Sequence, residues 1–210
     1  MTRFRQAVRT LLREQILDAA YQLVTDEGWA RLRVAPVARI AGCSRQTVYN
    51  EFGADPKSSI GLALVQREAE RFLLGIQEQL DAHRDSLEEA AAAGVGFVLH
   101  RAEANPLIRS VLTAARGGRD DELLAYLTTR PEPVFDTATA MIDAYASEAW
   151  PDVDPASRSL AVETIVRLTV SHIVQPTGDP GESARRIARI TVRIAYPAGS
   201  RPAQGPYESQ

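Results

Sequence analysis

A single cysteine, Cys43, stands in the 210 residues, so the chain can form no internal disulfide and no multi-thiolate metal site. Histidine is nearly as scarce: His83, His100 and His172 lie far apart in sequence, and with one thiol they do not suggest a metal cluster. No apolar run approaches the roughly 18 residues of a membrane span, and no signal-peptide core follows the basic N-terminus. Cytoplasm is therefore the expected compartment, with no membrane partner. Glycine-rich phosphate loops, the His-Glu-x-x-His zinc motif and the Gly-x-Ser-x-Gly elbow are all missing. The chain is expected not to be an enzyme, and to use neither cofactor nor metal.

What is present reads as globular: 45% hydrophobic and 24% charged residues, enough for one or two domains with a substantial core. The net charge is only −3, but residues 1–50 carry eight arginines against four acids, a net of +4, which leaves −7 on the remainder. A basic head on an acidic body is the pattern of a nucleic-acid-binding module fused to a domain that does not bind nucleic acid.

The head is organised around Val37 to Phe52. Val37, Ala38 and Ala41 predict a short apolar helix, Gly42 a tight turn of positive φ, and Ser44 the N-cap of a second short helix. Helix, glycine turn and capped helix is the helix-turn-helix layout, whose second helix enters the DNA major groove. On that helix Arg45, Gln46, Tyr49 and Asn50 share one face, while Val48 and Phe52 lie on the other. Arginine can grip guanine, glutamine or asparagine can grip adenine, and tyrosine can reach a phosphate or a thymine methyl. The alternative for the same face is an ordinary wet surface.

Around this stretch the chain resembles the TetR-type one-component transcriptional repressors. The resemblance is carried by Gly28, Val37-Ala38, Ala41-Gly42-Cys43-Ser44, Thr47-Val48-Tyr49-Asn50-Glu51-Phe52 and Lys57, and it covers about residues 10 to 65. It implies an all-α fold: an N-terminal three-helix DNA-binding domain with the helix-turn-helix, and a C-terminal helical bundle for ligand binding and dimerisation. The expected division is 1–53 for the DNA-binding domain and 54–196 for the bundle, with 197–210 a disordered tail. DNA contacts are expected from Arg33, Ser44, Arg45, Gln46, Thr47, Tyr49, Asn50 and Lys57. Three departures stand out. Arg33 replaces the family's capping threonine, so Pro36 carries more of the boundary. Cys43 replaces a valine. The lysine comes late, behind Asp55-Pro56, a good N-cap and N1 pair that lets Lys57 keep a phosphate role.

Residues 1–9, with Arg3, Arg5 and Arg9, read as a basic arm that can extend into a helix; such arms can lie along phosphates or in the minor groove, or do nothing. Apolar spacing from Val8 to Glu27 predicts one helix stopped by Gly28, with Trp29 and Leu32 plugging the edge of the head core. A further helix from Pro56 to about Leu80 is, by the resemblance, the rod that couples head to body. Beyond it the spacing predicts helices at 86–104, 106–116, 120–129, 134–149, 155–174 and 180–196, with no β pattern.

The last two helices carry stripes, Leu160, Ile165, Leu168, Val170, Ile173 and Val174, then Ile187, Ile190 and Ile194, that are too broad for one chain's core. A homodimer through them is expected, as the resemblance also implies, matching a palindromic double-stranded operator. Inside the bundle, Phe97, His100, Arg101, Leu112, Tyr126, Tyr145 and His172, with Phe135 and Met141, are candidates to line a pocket for a small hydrophobic effector. Ala90 to Gly94 would leave room opposite them. For each of these the plainer reading is core packing, which takes precedence over a pocket-lining role. The competing reading is a helical small-molecule-binding or scaffold protein whose degenerate head does not read DNA.

Overall fold

The computed structural model describes residues 2–116 and 132–197, and among these every regular element is helical. They are α1 (Thr2–Glu27), a single 3-10 turn (Trp29–Arg31), α2 (Val34–Ile40), α3 (Arg45–Phe52), α4 (Pro56–Ala82), α5 (Leu87–Ala104) and α6 (Pro106–Arg116). After the gap come α7 (Glu132–Ala149), α8 (Pro155–Val174) and α9 (Pro180–Ala195). The helix predicted at 120–129 and the tail from 198 onward fall outside the described residues. The basic stretch at the N-terminus is part of α1, so the helical alternative for that arm holds.

Four helices start on the same two-residue device. Asp55, Asn105, Asp154 and Asp179 each precede a proline and accept a backbone N–H from the first turn of the helix that follows. The proline has no N–H to leave unsatisfied at N1, and the side-chain oxygen satisfies one of the donors behind it. Each such cap stabilises its helix by about 0.5–2 kcal/mol. That local chemistry is why the boundaries read from sequence at Pro56, Pro106, Pro155 and Pro180 are the observed ones.

The described residues divide into two compact units, those within 1–74 and 100–137 and those within 75–99 and 138–210. The first has a core of Ile16, Leu17, Ala20, Leu23 and Val24 from α1, Trp29 and Leu32 from the connector, Val37 and Ala38 from α2, Val48 and Phe52 from α3, and Ile60 and Leu64 from α4. Leu107 and Val111 of α6 belong to the same core. The Ser110 hydroxyl donates to Val24 O at 3.2 Å, so α6 is also tied by hydrogen bond to the last turn of α1.

Beneath α6, Asn105 does double duty. Its Oδ1 accepts from Leu107 N at 2.9 Å and Ile108 N at 3.1 Å, while its Nδ2 donates to Glu68 Oε2 at 2.7 Å. The other Glu68 oxygen accepts from Arg71 Nη1 at 2.7 Å. Both Glu68 and Asn105 are buried. A buried carboxylate is tolerated only when its oxygens are met in this way.

In the second unit α8 and α9 pack on each other through Ile165, Leu168, Ala184 and Ile187. Trp150 closes the end of α7, its indole Nε1 donating to Arg84 O at 3.1 Å. Tyr145 stands edge-on to Trp150 with ring centroids 5.9 Å apart. Gly75 of α4 is buried beneath Phe97 of α5: a Cβ built at Gly75 would lie 2.1 Å from the tip of the Phe97 ring. Glycine there lets an aromatic ring rest directly on helix backbone, which offsets the roughly 1 kcal/mol that a mid-helix glycine costs.

Candidate nucleic-acid interface

Gly42 ends the short α2 with φ of +66°, a left-handed backbone that a side chain disfavours, and Cys43 N bonds back to Ala38 O at 2.9 Å. Ser44 then caps α3: its Oγ accepts from Thr47 N at 3.0 Å and lies 2.9 Å from the Thr47 hydroxyl. Val48 and Phe52 are buried and fix which way α3 faces. Arg45, Gln46, Tyr49 and Asn50 are exposed, as one polar face should be. Across one helical turn of that face Gln46 Nε2 donates to Asn50 Oδ1 at 3.0 Å.

Arg33 occupies the N-cap position of α2 in extended conformation without a side-chain capping bond. Its Nη1 instead donates to Ala30 O at 2.8 Å and Leu32 O at 2.9 Å, tying down the preceding 3-10 turn. Lys57, one residue into α4, lies with Nζ 5.1 Å from the centroid of the buried Trp29 ring. Cys43 is half-buried, and burial pushes its thiol above the ordinary value, which suits a packing residue rather than a reactive thiolate.

α1 lies against the last turn of α3. Arg13 holds its guanidinium 4.4 Å from the Phe52 ring centroid and donates to Glu51 O at 3.2 Å. Arg9 donates Nε to Glu51 Oε2 at 2.9 Å. Sequence reasoning missed this bridge, whose partners are 42 positions apart. It also missed the Glu68 to Asn105 bond, although Leu64, Glu68 and Phe72 stand at i, i+4 and i+8, an acid inside an apolar stripe.

The effector candidates fall in different places. Phe97, Tyr145 and His172 belong to the second unit and are half-buried; Phe97 rests on Gly75, and the His172 ring Nδ1 is 2.8 Å from Leu168 O. Burial, with the Asp81 carboxylate adding to it, pushes the Tyr145 hydroxyl above its ordinary value. His100, Arg101 and Leu112 belong to the first unit; His100 and Arg101 are exposed and Leu112 is half-buried. Phe135 and Met141 are half-buried on α7, and Tyr126 lies outside the described residues. Among the described residues no three His, Cys, Asp or Glu side chains gather as a metal site, and no helix is long and apolar enough to cross a membrane.

The family model described as the C-terminal domain of the bacterial tetracyclin repressor matches residues 86–193. The HTH-type transcriptional regulator AlkX of Mycobacterium tuberculosis is 32% identical over 192 residues, 91% of this chain and 89% of its own. An uncharacterized HTH-type transcriptional regulator of the same organism is 30% identical over 199 residues, 90% of this chain and 88% of its own. Among solved structures, the repressor AlkX from Dietzia sp., implicated in biodegradation of n-alkanes, has 27% sequence identity and a TM-score of 0.69, covering 87% of this chain and 94% of that one. The proteins matched are regulators, not enzymes.

Proposed function

Because the chain belongs to the TetR family of transcriptional regulators, we propose that it is a repressor that binds a palindromic operator as a dimer and leaves it when a hydrophobic or amphipathic effector binds. The observation that carries the DNA-reading part is the Ser44-capped α3 with its paired Gln46 and Asn50. That pairing uses one group of each amide. It leaves the Gln46 oxygen as acceptor and the Asn50 nitrogen as donor, the complement of adenine N6–H and N7 in the major groove. Arg45 and Tyr49 flank the pair for base or phosphate contact. Ser44, Thr47, Lys57 and Arg33, whose two carbonyl bonds both use Nη1, meet the phosphates.

Function divides at residue 53: 1–53 read DNA, and 54–196 bind effector and dimerise. Leu160 of α8 and Ile190 of α9 are 56% and 43% exposed in the single chain, which supports burial of these two helices against a second copy. A dimer of that kind sets two α3 helices for half-sites about 34–36 Å apart or a multiple of it. The protein acts in the cytoplasm, with DNA. The likeness to a repressor implicated in biodegradation of n-alkanes supports n-alkanes and chemically related apolar chains as the effector class to test first. Effector works by population shift: it displaces the operator only to the extent that it prefers the conformation that misplaces α3.

A mobility-shift assay with DNA from upstream of its own gene, repeated with a long-chain n-alkane, the 1-alkanol and the fatty acid of matched length, tests both halves. A retarded band that is lost with one of the three supports the proposal. No retarded band with any upstream duplex sinks the DNA-reading half and leaves a helical small-molecule-binding protein. A band indifferent to all three compounds sinks the effector class.

A further inference from the structure

The basic residues of α1 are aligned. Arg5, Arg9 and Arg13 stand four apart, on one stripe of the helix. Arg13 turns inward, over Phe52 and onto the Glu51 carbonyl. Arg9, one turn earlier, gives only its Nε to the Glu51 carboxylate, and its side chain is 67% exposed against 13% for Glu51. Arg5, one turn further out, is exposed.

Glu51 is the odd member of this group. It is an acid on the helix that would enter DNA, where a bare carboxylate is repelled by phosphates. Its oxygen instead anchors an arginine. A guanidinium held through Nε keeps its end-on pair of terminal N–H donors available, a fork suited to a phosphate. Holding the side chain in place beforehand also removes part of the rotamer entropy that an arginine otherwise loses on contact.

Resting on the DNA-reading proposal above, we propose that the Arg5 and Arg9 stripe of α1 is a second contact to the DNA backbone, and that Glu51 is its positioning residue. α1 thus grips the sugar-phosphate strand beside the groove that α3 enters, without reading bases.

Bare charge counting and positioning predict opposite signs for Glu51→Ala. Removing an acid from a DNA-facing surface should tighten binding. Releasing Arg9 from its anchor should loosen it.

The test uses the full-length protein and a labelled duplex that the wild type selects from a random pool, with affinity measured from about 50 to 200 mM salt. Arg9→Ala should weaken binding severalfold, equally for unrelated sequences, and make the salt slope shallower by about 1. Glu51→Ala should also weaken binding and flatten the slope. The double variant should be no worse than Arg9→Ala alone, and Arg9→Lys should restore most of the slope. Far-ultraviolet circular dichroism of each variant establishes that it is folded.

A folded Glu51→Ala that binds as tightly as wild type or tighter would overturn the positioning role. An Arg9→Ala variant with the wild-type slope would overturn the contact itself. Should the wild type select no duplex, the DNA-reading proposal falls, and this one with it.

Discussion

The Asn105 side chain bonds at one end to the Glu68 carboxylate, at 2.7 Å, and at the other to the first two amides it caps on α6. One buried amide thereby joins α4 to α6, and α6 carries Leu107 and Val111 into the core that supports α3. Asn105→Ala removes the cap and strands a buried carboxylate oxygen, an expected loss of about 2–4 kcal/mol in chemical denaturation. Asn105→Ser keeps a capping oxygen but cannot reach Glu68, and should lose less. Equal losses for the two would mean that the Glu68 bond contributes nothing.

Phe97 rests where Gly75 has no side chain. Gly75→Ala should destabilise by about 1–3 kcal/mol through overpacking, although alanine favours helix intrinsically. Combined with Phe97→Ala the clash disappears, so the double variant should lose less than the sum of the single losses. Additive melting shifts would show that the ring moves aside freely.

The Gln46 and Asn50 pair should act as one unit on DNA. Gln46→Ala is expected to lose about 1–3 kcal/mol at one base pair and to relax specificity there. Asn50→Ala should relax the same position, with a double-mutant cycle showing coupling. Loss at two separate positions, or uniform weakening over all sequences, would make them independent or merely positioning contacts.

Stability should fall at both ends of the pH range for identifiable reasons. Burial and the Asp152 carboxylate, which accepts the Tyr196 hydroxyl at 2.9 Å, push Tyr196 up to about 12 from an ordinary 10.0. A raised pKa means that the folded state holds the proton more tightly. Its contribution is complete below pH 10 and is lost as pH rises towards 12. Tyr196→Phe should flatten that alkaline limb in pH-dependent melting. On the acid side the Ser157 amide, 2.9 Å from the Asp154 carboxylate, holds Asp154 below its ordinary 3.8. That stabilisation is present above 3.8 and is lost as pH falls through the lowered value, so Asp154→Asn should flatten the acid limb.

The features legible in sequence are those made by near neighbours. Gly42, the Ser44 cap and the Val48 and Phe52 pair interact within a few positions, so Ser44 to Phe52 is found in the structure as read. The Asx-Pro caps set helix starts for the same reason. Arg33 makes no cap bond on α2, as expected of an arginine, and its Nη1 goes to two carbonyls before the helix. Glu68, Asn105 and Glu51 were opaque because their roles depend on partners brought near only by folding, 37 residues away for Glu68 and 42 for Glu51. Periodicity marks a buried position but does not name the polar group that makes an acid tolerable there.

Leu107 and Val111 give the tight α6 packing a consequence for synthesis. The core beneath α3 is discontinuous along the chain, so it is incomplete when α4 leaves the ribosome and closes only once α6 has emerged. A nascent or truncated product ending within α5 exposes the α1 and connector surface that α6 covers. Premature termination in the body would therefore yield a weakened head rather than a freestanding DNA binder.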